Sequence, residues 1–163
     1  MNSPYCYSAD FANQAQLAAG ETEGPIVGMI LARIIVESIE NYSKSEDLIL
    51  RLFANDVSVT VGDSASKFSE ARFTGYKPCV LKAGQWKRAY SDSGDLIALE
   101  YDEQVFKSSA YQATEKIYGY FITQASDGKL FDAHRFEDAP NPITNLNDQI
   151  QMTPAFGGKY NPS

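Results

Sequence analysis

A chain of 163 residues, 44% hydrophobic and 12% aromatic, is long enough for one domain of ordinary size and too rich in apolar side chains for wholesale disorder. Its 14 basic and 21 acidic residues leave a formal charge of −7, which offers a phosphate backbone no electrostatic footprint and argues against nucleic acid as a partner. Cys6 and Cys79 lack metal-type spacing, so neither a zinc site nor a disulfide framework is expected, and folding in a reducing cytosol follows.

Residues 1–24 are small and polar with no sustained period, and they predict an extended N-terminal arm. No basic region precedes an apolar core there, so the segment does not resemble a secretory signal. Tyr5, Tyr7 and Phe11 are its candidate contacts with a neighbour.

A helix and its connector are predicted over 25–47. Glu21, Glu23 and Gly24 ahead of Pro25 form a start signal. Val27, Ile30, Leu31, Ile34 and Ile35 then recur at three- and four-residue steps, and Met29, Val36 and Ile39 widen the stripe. The domain's own sheet or a second copy could cover so wide a face; Ile30, Ile34 and Ile35 are the candidates for the second role. The β-branched Ile34, Ile35 and Val36 leave a strand as the alternative. Arg33 and Glu37 interrupt the run well short of the roughly 20 apolar residues of a membrane span.

Beyond "NYSKSED" the pattern changes to short strands. They are predicted at 48–56, over "VSVTVGD", and at 77–86, 96–108, 116–124, 129–136 and 148–156. Turns are predicted at Asp92-Ser93-Gly94, Asp127-Gly128, Pro140-Asn141-Pro142 and Asn145-Leu146-Asn147-Asp148. The fold class is therefore mainly β: an antiparallel β-sandwich or jelly-roll-like barrel over 48–156, with one N-terminal helix, the extended arm and a tail over 157–163.

The strongest local signal is the hairpin around Ser126-Asp127-Gly128. Alternation puts Ile117, Gly119, Phe121 and Thr123 on one face of its first strand and Tyr118, Tyr120 and Ile122 on the other. On the second strand Leu130, Asp132, His134 and Phe136 alternate with Phe131, Ala133 and Arg135. Asp132 thus shares a face with His134, the chain's only histidine.

That pair could hold a metal or orient a general base. A metal site of this kind wants further imidazole ligands, which the sequence does not contain, and no serine sits in a nucleophile elbow. Glu100, Asp102 and Glu103 are expected on the outward side of a strand whose Leu99, Tyr101 and Val105 point inward. Trp86, Tyr90, Tyr101 and Tyr111 could stack on sugar rings, which makes a carbohydrate-binding β-sandwich module the alternative outside a virion. "NDQIQ" and "DSGD" do not match the calcium loop of an EF-hand. No catalytic residue, cofactor or metal is assigned.

"LILRLFAND", "FSEARFTGYKPCVL", "YGYFITQASDGKLFDAHRF" and "ITNLNDQIQMTPAF" resemble, in that order, a group of small tailed-phage virion structural proteins. The shared pattern is a "lrLF.ND" strand, an "F.E..F.GY" segment, a "YGYfvt...G.Llw.erF" hairpin and a final "d.i.itP.f" strand, spanning about Leu48 to Phe156. One departure is that Asp132 and His134 stand where the pattern shows tryptophan and glutamate, which weighs against a shared enzymatic role for them. The resemblance implies a non-enzymatic bacteriophage structural protein made in the host cytoplasm and carried in the virion. Within that class the expectation is a cement or decoration protein on the capsid surface. Its partners would be the major capsid protein and further copies of itself, as a dimer or trimer, with no nucleic acid and no membrane. A tail, neck or fibre component is the alternative within the particle.

Overall fold

The computed structural model describes residues 25–90, 94 and 96–157, except the side chains of 25–32, 35, 96 and 97. The predicted arm with Tyr5, Tyr7 and Phe11 lies outside the described residues, as does the tail beyond Gly157. The fold is mainly β and antiparallel, with a helix α1 (Pro25–Ser43) ahead of the strands. The layers pack as a sandwich, and the described residues close no barrel.

One layer is formed by β1 (Leu48–Phe53), β2 (Cys79–Leu81), β7 (Gly119–Gln124) and β8 (Leu130–Arg135), in the order β2-β1-β7-β8. Period-two alternation buries Leu48, Leu50 and Leu52 on one face of β1, together with Tyr120 and Ile122 of β7. On the opposite face Phe53 and Phe121 form a second, smaller cluster with Phe68. Its cover is the 54–71 segment, which supplies Val57, Val59 and Ala65. The strand predicted over "VSVTVGD" is instead this covering loop, ending in a 3-10 turn at Ala65–Lys67. Val57 and Val59 pack onto a sheet face, Val61 is exposed, and none of the three joins a ladder.

The second layer is a long two-stranded ladder with one extra strand. It contains β3 (Lys87–Tyr90), β4 (Leu96–Glu100), β5 (Gln104–Lys107), β10 (Gln149–Met152) and β11 (Ala155–Gly157). β4 pairs with β11 and β5 with β10, so the segments predicted as single strands at 96–108 and 148–156 run side by side over nearly their whole length. Each is broken once. Between the Glu100↔Ala155 and Gln104↔Met152 pairs, Tyr101-Asp102-Glu103 face only Thr153-Pro154, and the Tyr101 N–H reaches the Pro154 carbonyl at 2.9 Å. The extra residue is a bulge that reverses the alternation. Leu99 and Tyr101 are buried as predicted, but beyond the bulge Phe106 turns inward and Val105 is 44% exposed.

A similar break occurs in the hairpin around Ser126-Asp127-Gly128. Its turn is closed by Gln124 N–H to Lys129 O at 2.9 Å and Gly128 N–H to Gln124 O at 3.0 Å. The register Tyr120↔His134 and Ile122↔Asp132 puts Asp132 and His134 on one face, as the alternation predicts. A bulge past Ile122 pairs Thr123 with Leu130. Leu130 consequently joins the Phe53 cluster, while Phe131 packs on the main core, the reverse of the expected sides.

Before Gly119 the same chain leaves the first sheet. β6 (Glu115–Ile117) pairs with β9 (Asn141–Ile143), and Ile117 turns to the main core rather than to the face of Phe121. Pro142, expected in a turn, lies in β9 opposite Lys116. Among the described residues β9 has no second neighbour in its sheet, and an edge strand tolerates a residue without an N–H.

The helix packs on β4 and β11. Val36, Ile39, Glu40 and Ser43 are buried, which is helical spacing for one face. Ile34 lies about 200° around the helix from Val36, and it is 52% exposed. Among the described side chains the buried face thus lies opposite Ile34 and includes Val36 and Ile39 of the widened stripe, while Val27, Ile30, Leu31 and Ile35 have side chains outside the described set. Glu46 and Asp47 fasten the connector: Glu46 accepts from Ser126 N–H, and Asp47 accepts from Ala83 N–H and Lys82 Nζ, at 2.7–2.8 Å.

Candidate functional site

The residues that carry the four motifs are engaged in architecture. Opposite Leu52 the edge of β1 is interrupted, because Glu70 and Cys79–Leu81 pair with β1 while residues 72–78 loop out. Tyr76 fills the gap: its hydroxyl accepts the Leu52 N–H at 3.1 Å and donates to Glu70 at 3.0 Å. Burial raises the pKa of that phenol and keeps its proton in place. Glu70 also accepts from Arg51 at 2.8 Å. The Tyr76 ring stacks on Phe106 and meets Phe73 edge-on. At Gly75, with φ of 94°, an added Cβ would meet the Ser109 side chain and the Lys107 carbonyl at 2.8–2.9 Å.

The other motifs are used in the same manner. Asn55 takes the Ser69 N–H at 2.7 Å and donates to Lys67 O at 2.9 Å, fixing the start of the covering loop. Asp56 pairs with Arg135 at 2.8 Å, and the Arg135 guanidinium lies over the Tyr118 ring at 5.1 Å. Phe68 stands between Phe53 and Phe121, at centroid distances of 5.0 and 5.3 Å. Gly119 is needed for close approach, since a Cβ there would run into the His134 carbonyl and lie 2.6 Å from the Phe53 ring.

Asp132 and His134 sit half-buried on β8, an edge strand of the first sheet. The His134 ring lies against Tyr120 at 5.9 Å, and Phe136 approaches the same tyrosine at 6.2 Å. His134 is thus the outer layer of an aromatic stack whose inner member is fully buried. Among the described residues no group of three His, Cys, Asp or Glu side chains is placed to hold a metal ion. Asp148 of "NDQIQ" turns its carboxylate onto the Thr144 and Asn145 N–H groups at 2.8 and 2.7 Å, and those bonds hold its pKa down. "DSGD" lies outside the described residues except for Gly94. Cys79 is a free, half-buried thiol whose pKa burial raises.

The strongest electrostatic feature joins the helix to the second layer. Glu40 is buried on α1 and accepts three contacts of 2.7–3.1 Å from Arg88 of β3, with Lys44 at 2.8 Å. These cations, Arg88 first, bring its pKa down from 4.5 to about 2. Arg88 stands in register with Leu99, so α1 lies on the core face of that sheet. Tyr42 of α1 stacks on Phe131 at 5.2 Å, and Phe131 meets Phe156 edge-on at the same distance. The helix thus packs on the second layer and reaches the first through the Tyr42 ring.

Of the six residues expected at an interface, Ile34 is exposed on α1. Ile30 and Ile35 belong to the helix with side chains outside the described set, and Tyr5, Tyr7 and Phe11 are not described. Of the four rings considered for sugar stacking, Trp86 and Tyr101 are buried against each other at 5.1 Å, while Tyr90 and Tyr111 are exposed.

No described helix is long and apolar enough to cross a membrane. Comparison with protein-family models, with curated proteins and with solved structures returns no match.

Proposed function

We propose that this chain is a non-enzymatic structural protein of a tailed-phage virion. In this reading it is a capsid cement or decoration protein that binds across neighbouring major capsid protein subunits and stabilises the shell. It works as a small oligomer of itself, and residues 1–24 are the anchor that reaches onto the shell.

The observation that carries the reading is the use made of the motif residues. Phe68, Glu70, Phe73, Tyr76, Asn55, Asp56 and Gly119 lock loops to strands. What the motifs have in common is therefore a rigid body, and such a body acts through its surface. A shell repeats its binding site many times, so a modest contact per copy is enough to hold a decorated lattice.

The test is co-sedimentation of the purified chain with shells assembled from the major capsid protein alone. The full chain pellets with the shells at a fixed stoichiometry. A variant with Tyr5, Tyr7 and Phe11 replaced by serine, its fold verified by circular dichroism, stays in the supernatant. A wild-type chain that ignores the shells contradicts the placement.

A further inference from the structure

Among the described residues every lysine and arginine takes part in a salt bridge except Arg72, Lys77, Lys107 and Lys116. All four are exposed. In a chain with 21 acidic and 14 basic residues, carboxylates are in surplus, and a cation with no described carboxylate in reach is the exception. The four exceptions are not scattered.

The loop 72–78, which leaves the edge of β1, brings them to one side of the sandwich. Arg72 opens the loop and Lys77 lies near its end, and a turn closed by Tyr76 N–H to Phe73 O at 2.9 Å folds the two back toward each other. The end of β5 abuts that turn: Ser109 N–H bonds Thr74 O at 2.9 Å, and a Cβ on Gly75 would stand 2.9 Å from the Lys107 carbonyl. On the other flank the Arg72 N–H donates to both oxygens of Glu115 at 3.0 Å, which sets Lys116 beside Arg72. Ala71 and Phe73 are buried on either side of Arg72, as Phe106 is beside Lys107 and Ile117 beside Lys116. The alternation that fills the core therefore turns these cations out to water. The acids of the same neighbourhood are half-buried, and their oxygens are engaged. Glu70 is held by Arg51 and Tyr76, Glu115 by the Arg72 N–H, and Asp148 by the Thr144 and Asn145 N–H groups.

We propose that this basic edge, formed by Arg72, Lys77, Lys107 and Lys116, docks an acidic surface segment of a different protein. Charge complementarity selects the occupant. With these four cations set aside, the rest of the chain is more acidic than its overall −7. A long polyanion such as nucleic acid would run past the edge and meet that acid, whereas a compact run of Asp and Glu side chains ends where the cations end. A second copy also offers carboxylates, but it brings a whole body of like charge with them. Exposed charges of this kind speed encounter and fix register more than they add affinity, which suits a contact made many times over. The chemistry of the occupant rests on the edge alone. Only the placement of the acidic segment on a capsid subunit rests on the proposed function.

The experiment is a titration of the full-length, nitrogen-15-labelled chain with a short oligo-glutamate peptide, followed by amide chemical shifts at low and at high salt. At low salt the amides of the 72–77 turn, Lys107 and Lys116 move together, and salt abolishes the movement. The Arg72→Glu/Lys77→Glu double variant, with its spectrum otherwise unchanged, binds the peptide about tenfold more weakly or worse. Lys129→Glu, which alters a cation already paired with Asp127, leaves the affinity as it was. Amides that stay in place at low salt, shifts centred elsewhere, or a double variant that binds like the wild type overturn the proposal. An oligonucleotide of matched charge that binds this edge more tightly than the peptide overturns it too, since the partner would then be nucleic acid. Shells ignored by the wild type contradict the proposed function and leave this result untouched.

Discussion

The Tyr76 hydroxyl stands in for a missing strand opposite Leu52, accepting its N–H at 3.1 Å and passing its own proton to Glu70 at 3.0 Å. An edge interrupted in mid-strand leaves a backbone donor that must find an acceptor. Here a tyrosine 24 positions along the chain provides it. Tyr76→Phe keeps the ring against Phe106 and removes only the oxygen. It should cost about 1–3 kcal/mol of stability in urea denaturation, because the Leu52 N–H is left without a partner. A loss below a few tenths of a kcal/mol would show that the hydroxyl is not needed there.

Gly119→Ala tests the close approach of β7, Phe53 and β8. The added methyl would collide with the His134 carbonyl and the Phe53 ring, neither of which is the free end of a flexible side chain. A loss of about 3 kcal/mol or more, or failure to accumulate in the soluble fraction, is expected. Ordinary stability would mean that the sheet yields there.

Acid stability should report the Glu40 ion pair. Its folded pKa, about 2, lies below its ordinary 4.5, so the contribution is complete above pH 4.5 and is lost as pH falls from there toward 2. Glu40→Gln should lower stability at pH 7 by about 2 kcal/mol, discounted from the full shift because Arg88 and Lys44 stay in reach of water. The difference between variant and wild type should shrink as pH falls through that window. Denaturation midpoints at several pH values provide the check, and a constant difference across the window would contradict the assignment.

For His134 the expectation concerns stability and not turnover. His134→Ala removes the ring that lies on Tyr120 at 5.9 Å. It should lower stability by about 1 kcal/mol and leave co-sedimentation with shells unchanged. Loss of shell binding in a fully folded variant would give the histidine a direct role.

Much of this architecture was legible in the sequence because the cues were local. The start of the helix at Pro25, the turn at Ser126-Asp127-Gly128 and the shared face of Asp132 and His134 each follow from spacing within a few residues. What was not legible depended on an extra residue in one strand opposite a partner far along the chain. The bulge at Tyr101–Glu103 exists only relative to Thr153-Pro154, and it exchanges the sides expected of Val105 and its neighbours. The bulge past Ile122 does the same for Leu130 and Phe131. "VSVTVGD" has the alternation of a strand, and only its position over the Phe53 cluster makes it a cover. At the surface, Trp86 and Tyr101 were indistinguishable by residue type from Tyr90 and Tyr111. Packing against Phe156 and against each other removed the first two from contact with any partner.

The central claim is that a rigid, motif-locked sandwich serves as a fitting on a virion shell. It is tested most directly by an electron-microscopy map of the purified particle, at a resolution that traces side chains. The account predicts density for this fold on the outer capsid surface, bridging adjacent major capsid subunits, with residues 1–24 laid along one of them. A particle without this chain, or one that carries it only in the tail or neck, would contradict it.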